Sequence, residues 1–134
     1  MHKAILWTEE LATGLTWQDS QHQKFLLLID NILQSFYEKK GNLDIEEAVN
    51  KLMNYVDEHF GLEEKYMNLS NYPESEAHKK LHLEFRNFLL DLDSRKNSVM
   101  DSAKLCNKLS TWFVFHIQNI DVQLADYLKS KSFD

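Results

Sequence analysis

Four stretches of this chain set apolar residues at alternating spacings of three and four, and five of its six histidines fall on those same stripes. Such spacing marks one face of an α-helix. The first stretch, about 19–39, carries His22, Leu26, Ile29, Leu33 and Phe36. Asp19 or Ser20 is its expected N-cap, and Gly41 sits where a left-handed C′ residue belongs. The second, about 44–69, carries Val49, Leu52, Val56, His59, Glu63 and Tyr66, with Asp44 and Glu47 spaced as a variant capping box. The third, about 73–95, opens on Pro73, which suits a first helical position, and carries His78, Leu81, His82, Phe85, Leu89 and Leu92. The fourth, about 101–129, carries Leu105, Leu109, Trp112, His116, Ile120 and Leu124.

Residues 1–18 show no helical period and hold Trp7, Gly14 and Trp17, which reads as an N-terminal arm packed by its aromatic residues. Connections of a few residues make neighbouring helices antiparallel. The expected fold is therefore all-α: an up-down-up-down four-helix bundle with an N-terminal arm, one domain spanning 1–134. Three glycines and one proline are too few for a many-stranded sandwich or barrel.

Charge and cysteine content narrow the function. Fifteen Lys and Arg against 21 Asp and Glu give a formal charge of −6, without a basic cluster. Nucleic acid and anionic membrane are poor partners for such a chain. The longest aliphatic or aromatic runs, Phe25–Ile29 and Trp112–Phe115, fall far short of the ~20 residues of a membrane span. The acidic N-terminal stretch lacks the apolar core of a signal peptide, so a cytoplasmic location is expected. The single Cys106 excludes a disulfide framework and a thiolate zinc site.

The chemistry lies in polar groups on faces that should be apolar. His22, His59, His78, His82 and His116 fall on inward stripes, as does Glu63, while His2 does not. One histidine on such a face is ordinarily a satisfied core residue. Five with a carboxylate are another matter, because each buried polar group left unpaired costs about 1–3 kcal/mol. A domain with roughly 5–15 kcal/mol of net stability could not carry that burden. A metal centre resolves it. His59 and Glu63, and likewise His78 and His82, are four apart and share a helix face. Imidazole and carboxylate without thiolate suit iron, copper, manganese or zinc. Five histidines exceed one zinc's four ligands, so two metals are the economical reading. The Glu-x-x-His pattern of ferritin-like di-iron sites is absent: Val56, Ser75, Lys79, Phe113 and Asp19 stand three residues before the histidines.

Several pieces, in order, resemble the hemerythrin family, in particular its single-domain bacterial members. They are Gln21-His22, the run His59-Phe60-Gly61-Leu62-Glu63-Glu64, Tyr72-Pro73, His78 with His82, and the stretch from Trp112 through His116 to Asp121. The resemblance covers nearly the whole chain. It implies a non-haem centre of two Fe ions that binds O2 reversibly. His78, His82 and His116 would hold one iron, and His22 and His59 the other. Glu63 and Asp121 would bridge both, beside an oxo or hydroxo bridge. The iron with two histidines would keep an open position for O2. Phe25, Phe60, Trp112 and Phe113 would line the O2 pocket. The family usually has Leu where this chain has Phe113, and a larger ring there would narrow the pocket. Asp121 is implied by the resemblance alone, since five residues beyond His116 is about 140° around an ideal helix.

The expected function is O2 storage, delivery or scavenging by a monomer without enzymatic turnover. The alternatives are a di-iron enzyme reducing peroxide, O2 or nitric oxide, and a sensor acting through a partner. A metal-free helical interaction module is the remaining, bland alternative. Gly61, inside the second helix, suggests a close approach by a neighbouring segment.

Overall fold

The computed structural model describes residues 7–39, 44–95 and 99–133. After a 3-10 turn at Glu9–Leu11 come α1 (Thr16–Glu38), α2 (Ile45–Ser70), α3 (Ser75–Arg95) and α4 (Val99–His116). A π-helical turn, Ile117–Asp121, then runs into α5 (Val122–Ser130). Among the described residues there is no strand. None of the helices is long and apolar enough to cross a membrane. Helix α1 packs on α2 and α4, α2 on α3, and α3 on α4, which closes a four-helix bundle.

The core has two apolar layers. One holds Phe25, Ile29, Leu52, Val56, Phe60, Phe85, Leu89, Leu109 and Phe113. The other holds Leu15, Met67, Tyr72, Leu124, Ala125 and Leu128. Chain direction alternates between them. Helix α1 runs from the smaller layer to the larger, α2 back, α3 forward again, and the α4–α5 rod back. This is the up-down-up-down order. On every helix the histidines lie where the chain passes between the layers, so the bundle encloses a polar slab between two apolar ones.

Helix α1 starts at Thr16, so Asp19 lies inside its first turn rather than at its N-cap, and the cap residue is Leu15, which makes no side-chain cap bond. Asp19 instead reaches back to the arm. Its carboxylate accepts from the Thr13 N–H at 2.7 Å, the Thr13 hydroxyl at 2.9 Å and the Gly14 N–H at 3.1 Å. Lys129 donates to the Thr13 carbonyl at 2.7 Å and ties the arm to α5. Gly14 is required here: its φ is +89°, and a Cβ would stand 2.6 Å from Lys129 Nζ. Trp17 stacks on Tyr66 with ring centroids 4.8 Å apart.

Asp44 caps α2 by accepting from the Glu47 N–H at 3.1 Å. Asn71, with φ 55° and ψ 47°, ends that helix in the left-handed region. Helix α3 begins at Ser75, two residues beyond the expected Pro73, after a turn closed by the Ser75 N–H to the Tyr72 carbonyl at 3.2 Å. The fixed φ of proline suits the second position of such a turn as well as a first helical position. Gly61 makes no close approach, because a Cβ there would meet nothing within 4 Å. Gly41, His2 and the first six residues of the arm fall outside the described residues.

Candidate metal centre

The polar slab contains His22 from α1, His59 and Glu63 from α2, His78 and His82 from α3, His116 from α4 and Asp121 from the π turn. Each is at most 1% exposed. The i, i+4 spacing brings His59 beside Glu63, and His78 beside His82, on one helix face. Asp121 arrives by a different device. In a π turn the backbone bonds to the residue five on. This widened turn brings Asp121 back to the inner face, with Oδ1 at 3.0 Å from His116 Nε2. It also moves Ile120, expected on the inward stripe, to a half-buried position, while Ile117 and Asp121 are buried.

The donors divide into two sets. Glu63, His78, His82, His116 and Asp121 bring ligand atoms within 4.8 Å of one another, and so do His22, His59, Glu63 and Asp121. Both carboxylates belong to both sets and split their oxygens between them. Glu63 Oε1 lies 3.1 Å from His82 Nε2 and 3.4 Å from His78 Nε2, while Oε2 faces His59 at 3.5 Å and His22 at 3.8 Å. Asp121 Oδ1 lies 3.0 Å from both His78 and His116, while Oδ2 lies 2.9 Å from His22. The slab thus has a three-histidine end and a two-histidine end with two carboxylates spanning them.

Close as they are, these atoms do not pair as hydrogen bonds. All five Nε2 atoms, Glu63 Oε1 and both Asp121 oxygens are buried without a hydrogen-bond partner. Such orphaned groups are expected where cations complete the site. The donor chemistry agrees, being imidazole and carboxylate only. The residues present therefore fit a pair of metal ions.

Burial and charge pull the titrating groups of the cluster in opposite directions. Burial pushes the His22 and His78 imidazoles down, but contact with the Asp121 and Glu63 carboxylates overcomes it and raises both to about 9. Burial wins at His59, which falls to about 4. Burial also pushes Glu63 and Asp121 up, but the surrounding imidazoles hold both well below the usual carboxylate range. The cluster thus favours ionised carboxylates, with the protonated forms of His22 and His78 beside them.

Outer contacts orient the rings. His82 Nδ1 donates to Glu64 Oε2 at 2.8 Å, and Arg86 Nη1 supports that carboxylate at 3.5 Å. His59 Nδ1 donates to the Gln21 side-chain oxygen at 2.6 Å, and the Tyr55 hydroxyl donates to the Gln21 carbonyl. Fixing Nδ1–H in this way presents Nε2 inward. Of the four aromatic residues expected to line an O2 pocket, Phe60, Trp112 and Phe113 touch candidate ligands, at different ends, and Phe25 packs behind Phe113. Phe113 lies edge-on to His22 at 5.5 Å and to Phe25 at 4.3 Å, at the two-histidine end. Trp112 stacks on His116 at 4.4 Å, at the three-histidine end. Phe60 stacks on His82 at 3.8 Å and lies 5.8 Å from His59, between the two.

Sequence spacing alone did not find Asp121, because the π turn breaks the helical phase. Gln18 was also missed. It lies four residues before His22 in α1, but that helix was expected to start at Asp19. The i−4 relation to a candidate ligand was the available signal. Glu64, next to Glu63, is legible in the sequence only as part of the His59-to-Glu64 run.

Comparison with known proteins agrees with this geometry. The Hemerythrin HHE cation binding domain family matches residues 13–128. A bacteriohemerythrin of Pseudomonas paraeruginosa is 31% identical over 126 residues, 93% of this chain and 82% of that protein. One from Pseudomonas aeruginosa gives the same figures, 31% over 126 residues. One from Stenotrophomonas maltophilia is 26% identical over 129 residues, 94% of this chain and 82% of that protein. With most of its length matched, this chain belongs to the hemerythrin family.

Proposed function

We propose that this chain binds O2 reversibly at two iron ions held in the polar slab, without enzymatic turnover. The observation that carries the reading is the division of Glu63 and Asp121 between two donor sets of unequal size. His78, His82 and His116 with the two carboxylates offer five donors at one end, and His22 and His59 with the same carboxylates offer four at the other. The end that is one donor short would be the one open to a diatomic ligand. Iron bound there would supply the electrons that O2 binding draws on.

The protein's own part is to hold two metals close together, leave one position open, and keep water from it. Glu63 and Asp121 would hold the pair, since each faces one oxygen toward each end. Gln21 and Glu64 fix the His59 and His82 rings. Phe25 and Phe113, at 0% and 1% exposure, cover the two-histidine end with apolar rings. Excluding water there would keep protons from the site.

The test is metal content together with the visible spectrum of the reduced protein, recorded without oxygen and again in air. Two irons per chain and a colour that appears in air and leaves on removing O2 are expected. Two irons that pass directly to an oxidised form would instead support turnover or sensing. A chain that takes up no iron would overturn the reading.

A further inference from the structure

Gln18 is fully buried in the first turn of α1, one turn before His22. Its Nε2 donates to Glu63 Oε2 at 2.8 Å. Its own Oε1 is buried and has no hydrogen-bond partner. Burying an amide with its carbonyl unsatisfied is unfavourable, and an apolar side chain of the same length would avoid it. The bond to Glu63 is the compensating interaction, and a charge-assisted bond of this length is a strong one.

Its direction matters. Oε2 is the Glu63 oxygen that faces His22 and His59, whereas Oε1 faces His78 and His82. Gln18 therefore grips the shared carboxylate only on the side with fewer donors. A carboxylate that spans two ends must keep its plane along the line between them, and rotation about its last bond would withdraw one oxygen. The five-donor end tolerates such a loss better than the four-donor end.

We propose that Gln18 is a positioning residue for the two-histidine end, holding Glu63 so that Oε2 stays available to the metal there. The inference rests on the two-metal reading. It predicts an end-selective effect, which a space-filling residue would not give. Outer contacts of this kind are commonly worth about 10–100-fold in metal affinity.

The experiment is an anaerobic cobalt(II) titration of the full metal-free chain against a competing chelator, with visible spectra after each addition. The unmodified chain and the Gln18→Met and Gln18→Leu variants are compared. Gln18→Met keeps the side-chain length without the donor, and Gln18→Leu gives a second apolar filling should one variant fold poorly. The expected result is two cobalt ions in every case, an unchanged first step, a second step weakened at least tenfold in the variants, and a changed absorption band for the second ion alone. Equal second-step affinities and spectra in variants and parent would overturn the inference and leave the two-metal reading intact. Equal weakening of both steps would also overturn it, since that marks general loosening of the bundle. A parent chain that binds only one cobalt would overturn both.

Discussion

Replacing Phe113 with Leu tests whether the ring closes the two-histidine end or merely fills the core. Phe113 is 1% exposed, with its ring 4.3 Å from Phe25 and 5.5 Å from His22. An edge-on aromatic pair contributes about 0.5–1.5 kcal/mol beyond its buried area. Leu also leaves a small void, at about 24 cal/mol per Å³ where the surroundings do not collapse. Together these give a loss of about 1–2 kcal/mol. At the size of this chain that lowers Tm by about 4–8 °C. The void opens on the side of His22, where O2 is proposed to enter, so association and oxidation by air should both quicken by several-fold. Differential scanning calorimetry reads the first effect, and stopped-flow mixing of reduced protein with O2 reads the second. A lower Tm with unchanged association and oxidation rates would show that Phe113 only packs. An unchanged Tm would show that the Phe113 ring adds nothing to stability beyond what Leu supplies.

Gly61→Ala should raise Tm by about 4 °C, because Ala gains about 1 kcal/mol over Gly in a helix and its Cβ meets nothing within 4 Å; a lower Tm would mean that another constraint holds that position. Glu64→Gln should weaken metal binding by about tenfold or more in chelator competition, because it removes the charge that accepts from His82 Nδ1 at 2.8 Å; a change under twofold would make that contact ornamental. Loading the metal-free protein at pH 7 should release at least two protons into a weakly buffered indicator solution, because His22 and His78, raised to about 9, must lose theirs to bind metal. The release should fade as pH rises through 9, and pH-independent release would refute it. The sign for folding follows from the same shifts. His22 and His78, each facing Asp121 and Glu63, stabilise the metal-free chain fully below 6.5, the ordinary imidazole value, and that contribution is lost as pH climbs through 9.

What the sequence made legible is what a regular helix preserves. Residues four apart stay on one face, so His59 with Glu63 and His78 with His82 could be assembled from spacing alone, and the single ligands His22 and His116 from the stripes they interrupt. Spacing says nothing of how helices pack on one another, so Gln21 and Glu64 could not be read as partners of His59 and His82. Gln18 was hidden by a helix start set at Asp19, a residue whose cap-like chemistry serves the arm instead. Asp121 is the instructive case. A regular helix would carry it about 140° away from His116, toward the flank where a carboxylate could be solvated. One π turn reverses this, at the expense of the ideal hydrogen-bond ladder and of Ile120, which loses its place on the buried stripe. Helix α5 still buries Leu124, Ala125 and Leu128, so the turn redirects the inner face without undoing the apolar layer beyond it. A local departure from α geometry is favourable only if something at that point repays it. Here the position gained is the one from which a short carboxylate can face His22 with one oxygen and His78 and His116 with the other. An aspartate four residues after His116 would have needed no such turn. The π turn and the spanning carboxylate are therefore one feature, and the backbone irregularity belongs to the site rather than to the bundle.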